Sequence, residues 1–98
     1  MHRVSLQARS DLDEIWLYLA RVSESEAVAD RHIESITTRF YLLADHPRLG
    51  RSRYEDLGPG RRTFPVGDYI IVYRVVRADI QILRVVHSRR HLPALFGR

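Results

Sequence analysis

The sequence predicts an α+β fold in which one layer of helices covers one face of an antiparallel sheet. Between Ala8 and Leu43 apolar residues recur at steps of three and four, with one polar interruption. Between Arg61 and His87 they alternate, in runs that meet across a short turn. Pro47 separates the two halves, because its ring stops a helix and biases His46 away from helical geometry. The expected order is a short N-terminal strand, an antiparallel helical hairpin and a three-stranded antiparallel meander, within a single domain over residues 1–98.

Residues 3–6 form the expected first strand, and Ser5 is placed to cap the helix that follows. Ala8, Leu12, Ile15, Trp16 and Leu19 make the buried stripe of that helix. Asp11, Asp13 and Glu14 lie in its N-terminal half, where the helix dipole favours carboxylates. Ser23 and Glu26 have the spacing of a capping box and predict the start of a second helix. Its stripe is Ala29, Ile33, Ile36, Phe40 and Leu43. The short polar connection makes the two helices antiparallel neighbours. Residues 49–60 carry glycines and a proline and are read as a linker. A short strand over residues 61–64 stops at Pro65. The next strand is apolar on both faces, with Tyr69, Ile71, Tyr73 and Val75 on one and Ile70 and Val72 on the other, which marks an interior strand. In the last strand Ile80, Ile82, Arg84 and Val86 alternate with Gln81, Leu83, Val85 and His87, after a turn around Arg77, Ala78 and Asp79. The tail over residues 92–98 either stays disordered or docks through Leu95 and Phe96.

Composition narrows the chemistry. There is no cysteine, which removes disulfides, thiol nucleophiles and the usual structural zinc sites. No apolar run approaches the roughly 20 residues of a membrane span. The N-terminus lacks the apolar core of a signal peptide, so a cytoplasmic location is expected. All 16 basic side chains are arginine. Arginine clamps carboxylates and phosphates but does not shuttle protons. The net charge of +4 suits an acidic protein or a nucleic acid as partner.

Several residues are candidates for function. His87, followed by Ser88, Arg89 and Arg90, reads either as a proton shuttle flanked by phosphate-holding cations or as a hydrogen-bonded histidine at a strand end. Arg61, Arg62, Arg74 and Arg84 lie along the meander, as a clamp, a docking surface or a solvated face. Glu55 and Asp56 could offer a general base from the linker. Tyr18, Tyr41 and Leu42 fall off the helical stripes and mark either a partner surface or ordinary exposure. His2, His32 and His46 show no ligand spacing, so no metal and no cofactor is expected.

Four ordered motifs carry a family resemblance. The first helix reads Ala8-Arg-Ser-Asp11-Leu12-Asp-Glu-Ile15-Trp16-Leu-Tyr18, and the second ends in Leu43-Ala-Asp-His46-Pro47-Arg-Leu49-Gly50. The strands read Gly60-Arg61-Arg62-Thr-Phe64-Pro-Val-Gly67-Asp-Tyr69-Ile-Ile71-Val-Tyr73-Arg74-Val75 and Ile82-Leu83-Arg84-Val85-Val86-His87-Ser-Arg89-Arg90. At these spacings the chain resembles the ParE branch of the ParE/RelE toxins, the toxic halves of bacterial type II toxin–antitoxin pairs.

The resemblance implies a toxin that inhibits DNA gyrase by binding, without catalytic residues and without direct DNA binding of its own. It also implies neutralisation by a ParD-like antitoxin in a hetero-oligomer. The expected antitoxin contacts are Tyr18, Tyr41, Leu42, Arg61, Arg62, Arg74 and Arg84, and the expected target contacts are His87, Arg89 and Arg90. The alternative is a ribosome-dependent mRNA endoribonuclease of the RelE type, with His87 as proton shuttle and Arg62, Arg74 and Arg89 as clamps. Against that alternative, Ile70 stands where RelE-like nucleases usually carry a basic residue, lysine is absent, and residues 92–98 hold no tyrosine. A module kept only for antitoxin binding is the third possibility.

Overall fold

A computed structural model describes residues 1–97; Arg98, the end of the tail considered above, lies outside the described residues. The elements are β1 (His2–Val4), α1 (Leu6–Ser23), α2 (Glu26–Asp45), β2 (Arg51–Ser52), α3 (Tyr54–Leu57), β3 (Arg61–Val66), β4 (Tyr69–Val76), β5 (Asp79–His87) and a closing 3-10 helix (Leu92–Phe96). They build a five-stranded sheet in the order β1-β5-β4-β3-β2. The predicted α+β class and the β3-β4-β5 meander hold. The sheet is larger and mixed, because β1 joins β5 in parallel and the linker contributes β2.

Ser5 explains where β1 ends. Its N–H donates to the Ile82 carbonyl at 2.9 Å. Its hydroxyl donates to the Leu83 carbonyl at 2.9 Å and accepts from the Ala8 N–H at 3.0 Å. One serine therefore finishes a strand and caps a helix, and Leu6 becomes the first residue of α1 rather than the last of β1. The α2 cap falls two residues later than the capping-box spacing suggests. Ser23 stays in α1 and donates to the Leu19 carbonyl, while Ser25 accepts from the Val28 N–H at 3.2 Å. Glu24, left-handed at φ 54, makes the turn between the helices.

Both helical stripes point at the sheet. Ala8 and Ile15 from α1 and Ile36, Phe40 and Leu43 from α2 are buried against Ile71, Tyr73, Ile80, Ile82 and Val85. Trp16 departs from the expected stripe. It is half-buried, and its indole N–H donates to Asp30 across the hairpin at 2.8 Å. The other sheet face is covered too, contrary to the one-layer expectation. Leu57 of α3 and Leu92 of the 3-10 helix close over Val72 and Val86, with Ile70, Leu95 and Phe96 packed around them. The tail therefore docks, and β4 is interior as its two apolar faces predict. β3 runs through Pro65 to Val66. β2 covers only Arg62 and Thr63, so Pro65 sits on an open edge where its missing N–H costs no ladder bond.

A bulge in β5 changes the expected alternation. Val72 pairs with Arg84 and Tyr73 with Ile82, which leaves Leu83 as an extra residue. The parity slips, so Val85 faces the helices and Val86 faces the other way. Asp11 occupies the gap from α1. Its carboxylate accepts from the Val85 N–H at 2.9 Å and from the Arg84 guanidinium at 2.8 and 3.0 Å. This pairing raises the Arg84 pKa further above its ordinary value, chiefly through the hydrogen bonds. A second tie lies at the other end of the sheet. The Tyr73 hydroxyl donates to the Pro47 carbonyl and accepts from the Gly50 N–H, both at 2.8 Å. Gly50 must lack a side chain, since a Cβ there would lie 2.5 Å from that hydroxyl.

Two outcomes follow from these ties. Asp11→Ala should cost about 3–5 kcal/mol in urea unfolding, since it strands the nearly buried Arg84 and the Val85 N–H. Tyr73→Phe should cost about 1–3 kcal/mol by leaving the buried Gly50 N–H unpaired. Burial pushes the Tyr73 phenol above the ordinary tyrosine value, partly offset by the Gly50 N–H and Arg62. Its contribution is therefore complete below about pH 10 and is lost as pH rises through the higher folded-state value. Alkaline titration of stability should show a smaller loss in the phenylalanine variant.

Candidate functional site

A groove of about 660 Å³ lies between the helical hairpin, the β3–β4 turn and the end of β5. Helical spacing builds its first wall. Asp11, Glu14 and Tyr18 project from one side of α1 above Ile15 and Leu19. His32 adds a polar group from α2. The opposite wall begins at the two-residue turn after Val66, where Gly67 takes φ 58 and leads into Asp68. Tyr69 and His87, directly paired across β4 and β5, complete it, and Arg90 stands at the mouth. The floor is apolar, with Ile36, Val66 and Val85.

The polar groups of this groove are held in defined states. The Tyr69 and His87 rings meet edge to face at 5.7 Å. The Arg89 backbone N–H donates to His87 Nδ1 at 3.1 Å. That bond requires a bare Nδ1, so the neutral ring carries its proton on Nε2. His32 has the opposite tautomer, because its Nδ1 sits 3.0 Å from the Val28 carbonyl and must donate to it. Burial raises the Tyr69 pKa, and the neighbouring Tyr18 and Asp68 raise it further. Tyr69 therefore stays a neutral phenol.

The expected site residues separate into two sets. Tyr18 lines the groove and is half exposed, whereas Tyr41 and Leu42 lie near the other end of the hairpin. There Tyr41 borders a shallow hollow with His2, ring to ring at 4.8 Å. Three of the four meander arginines are engaged within the chain. Arg84 is tied to Asp11. Arg62 donates to the Gly50 carbonyl at 2.6 Å. Arg61 donates to the Leu57 carbonyl at 2.6 Å and lies 4.4 Å above the Phe96 ring, with its Nε buried and without a partner among the described residues. Arg74, opposite Arg61 in the ladder, is exposed. His87, Arg89 and Arg90 share the turn that ends β5, all exposed, and Arg90 N–H donates to the His87 carbonyl.

The residues of the nuclease alternative lie apart from one another. His87 pairs with Tyr69, while Arg62 pairs with Tyr73, four residues or about 13 Å further along β4. Arg74 follows Val72 on the sheet face turned away from the helices. The four residues of the nuclease alternative therefore do not meet around one point. Asp56, a possible base, is bound by Arg53, whose hydrogen bond holds its carboxyl below the ordinary range. Among the described residues no three His, Cys, Asp or Glu side chains gather as metal ligands. No helix of the structure is long and apolar enough to cross a membrane.

Asp11, Glu14, His32, Asp68 and Tyr69 were not singled out as site residues from the sequence. The 11/14/18 spacing on a predicted helix could have grouped the first two with Tyr18. Asp68 and His32 join them only through tertiary packing.

A family model described as the ParE toxin of type II toxin-antitoxin system, parDE, matches residues 3–92. Toxin ParE3 of Caulobacter vibrioides is 36% identical over 88 residues, covering 90% of this chain and 86% of that protein. Toxin ParE1 of the same organism is 33% identical over 96 residues, covering 98% and 97%. Toxin RelE3, also from that organism, is 32% identical over 82 residues, covering 84% and 87%. Among solved structures, a chain described as the chromosomal ParDE TA system from P. aeruginosa superposes with a TM-score of 0.74 at 25% identity, covering 88% of this chain and 92% of that one.

The groove electrostatics give a direct check. Asp68→Asn should bring the Tyr69 pKa partway back toward the ordinary value, because it removes one of the lesser causes and leaves burial in place. Carbon-detected NMR titration of the tyrosine ring would read the change.

Proposed function

The chain belongs to the ParE toxin family of type II toxin–antitoxin systems, and we propose that it acts by binding, inhibiting DNA gyrase in the cytoplasm until a ParD-like antitoxin neutralises it. The dispersal of His87, Arg62, Arg74 and Arg89 over two faces and about 13 Å of strand is the observation that carries this reading. Ile70 supports it, since it packs into the second apolar cluster where a nuclease would need an exposed cation. Leu92, in the segment where such nucleases place a tyrosine, is likewise buried in that cluster.

The target surface is the exposed turn of His87, Arg89 and Arg90. The antitoxin surface includes Tyr18, Tyr41, Leu42 and Arg74. Arg61, Arg62 and Arg84, already engaged within the chain, shape this surface more than they offer free charge. Tyr18 and the pair His87 and Arg90 line one groove. An antitoxin segment seated on Tyr18 would therefore also cover part of the target surface, and neutralisation would follow by occlusion. The 32% likeness to Toxin RelE3 and the exposed His87 ring favour a second reading, RNA cleavage on the ribosome.

One pair of assays separates the readings. The purified chain should inhibit supercoiling by gyrase and leave transcripts intact on translating ribosomes. A double variant, His87→Ala with Arg90→Ala, should need about tenfold more protein for the same inhibition. Transcript scission lost on changing His87 alone, with supercoiling untouched, would establish the second reading instead.

A further inference from the structure

The groove carries a local charge opposite to that of the chain as a whole. The chain is +4 overall. Glu14 and Asp68 nevertheless bring carboxylates from two different walls of the groove. Neither has an ion-pair partner within 4 Å among the described residues, though Glu14 lies in the field of Arg84, whose guanidinium is held by the third carboxylate, Asp11. Tyr18 and Tyr69 line the same groove over an apolar floor, with Tyr18 and Asp68 both near enough to act on the Tyr69 phenol. Arg90, the one cation in the same lining, is exposed, so its charge is screened by solvent.

From this we infer that the groove receives an arginine side chain of the antitoxin, with the aliphatic stem on the floor and the guanidinium between Tyr18 and Tyr69, facing Glu14 and Asp68. Each part of arginine finds a matching surface. The methylene stem suits the apolar floor, as long cationic side chains cover apolar surface while their heads stay polar. The planar head stacks on tyrosine and donates in a fork to carboxylates. A lysine head would find the charge but lose the stacking plane and the fork. The antitoxin is the occupant because Tyr18 of the proposed antitoxin surface forms this wall. The inference thus rests on the neutralisation reading above, and it adds a cationic anchor within a segment otherwise expected to be acidic.

The test uses N-acetyl-arginine methylamide as probe, with the citrulline and norleucine analogues as neutral comparators of similar shape. In NMR titrations of the whole chain, the arginine probe should perturb Tyr18, Tyr69 and His87 with a millimolar dissociation constant. Citrulline should bind about tenfold more weakly. The double variant Glu14→Gln with Asp68→Asn changes only exposed side chains, so it should keep the amide spectrum and lose about tenfold in arginine affinity. Equal binding of citrulline or norleucine, or no effect of the double variant, would overturn the cation site. Adding the antitoxin should abolish the arginine perturbation, and its persistence in the complex would overturn the antitoxin as occupant. A failed gyrase assay alongside selective arginine binding would sink the target reading and leave the groove chemistry standing.

Discussion

The contact between Asp11 and the β5 bulge orders the rest of the molecule. β1 pairs with β5 only over Ile80–Ile82, so the Val85 N–H beyond the bulge lacks a strand partner on that side, which would be costly in an apolar layer. Asp11 satisfies it and at the same time neutralises Arg84, the cation nearest the break. Because the carboxylate comes from α1, the same three bonds fix how the helical hairpin sits on the sheet. Ser5 sets the position of α1 along its axis, through Ile82 and the bulged Leu83. The bulge also moves Val85 under the helices and Val86 to the far side, so that both apolar clusters receive a residue from β5.

This arrangement decides which charges face outward. A chain rich in arginine looks, residue by residue, like a continuous cationic surface. Folding takes Arg84, Arg62 and Arg61 into internal bonds with a carboxylate, a loop carbonyl and an aromatic ring. The cations left exposed on the functional side lie mainly at the end of β5, beside a groove whose own rim holds two unpaired acids. A partner therefore meets alternating patches of opposite sign rather than a uniform field, and such patterning fixes register and selects partners more than it adds affinity.

Periodic features were legible in the sequence. The α2 stripe of Ala29, Ile36, Phe40 and Leu43, the interior character of β4 and the exposure of Tyr41 followed from spacing alone. Features that depend on one residue finding a distant partner were not. Nothing near Asp11 distinguishes it from Asp13 or Glu14 as an ordinary first-half helix carboxylate, because its partners lie more than 70 residues away. The slip after Ile82 defeated strict alternation, since an extra residue leaves no local mark when its neighbours are all apolar or long. The linker concealed β2 and α3 because its glycines and proline read as turns, and the tail concealed a second cluster because five residues carry too little periodicity. At the site, Tyr18 and His87 were singled out separately, and only the packing of α1 beside the β3–β4 turn brought them to one groove.

The parallel pairing of β1 with β5 joins the first strand to the last, with His2 aligned to Ile80. A pairing between such distant segments cannot form before β5 has been synthesised, so β1 remains without its partner until then. The helical hairpin is local and can assemble early, but it has no sheet to bury its stripe until the meander arrives. The groove, assembled from early and late segments, therefore forms only once β5 is in place.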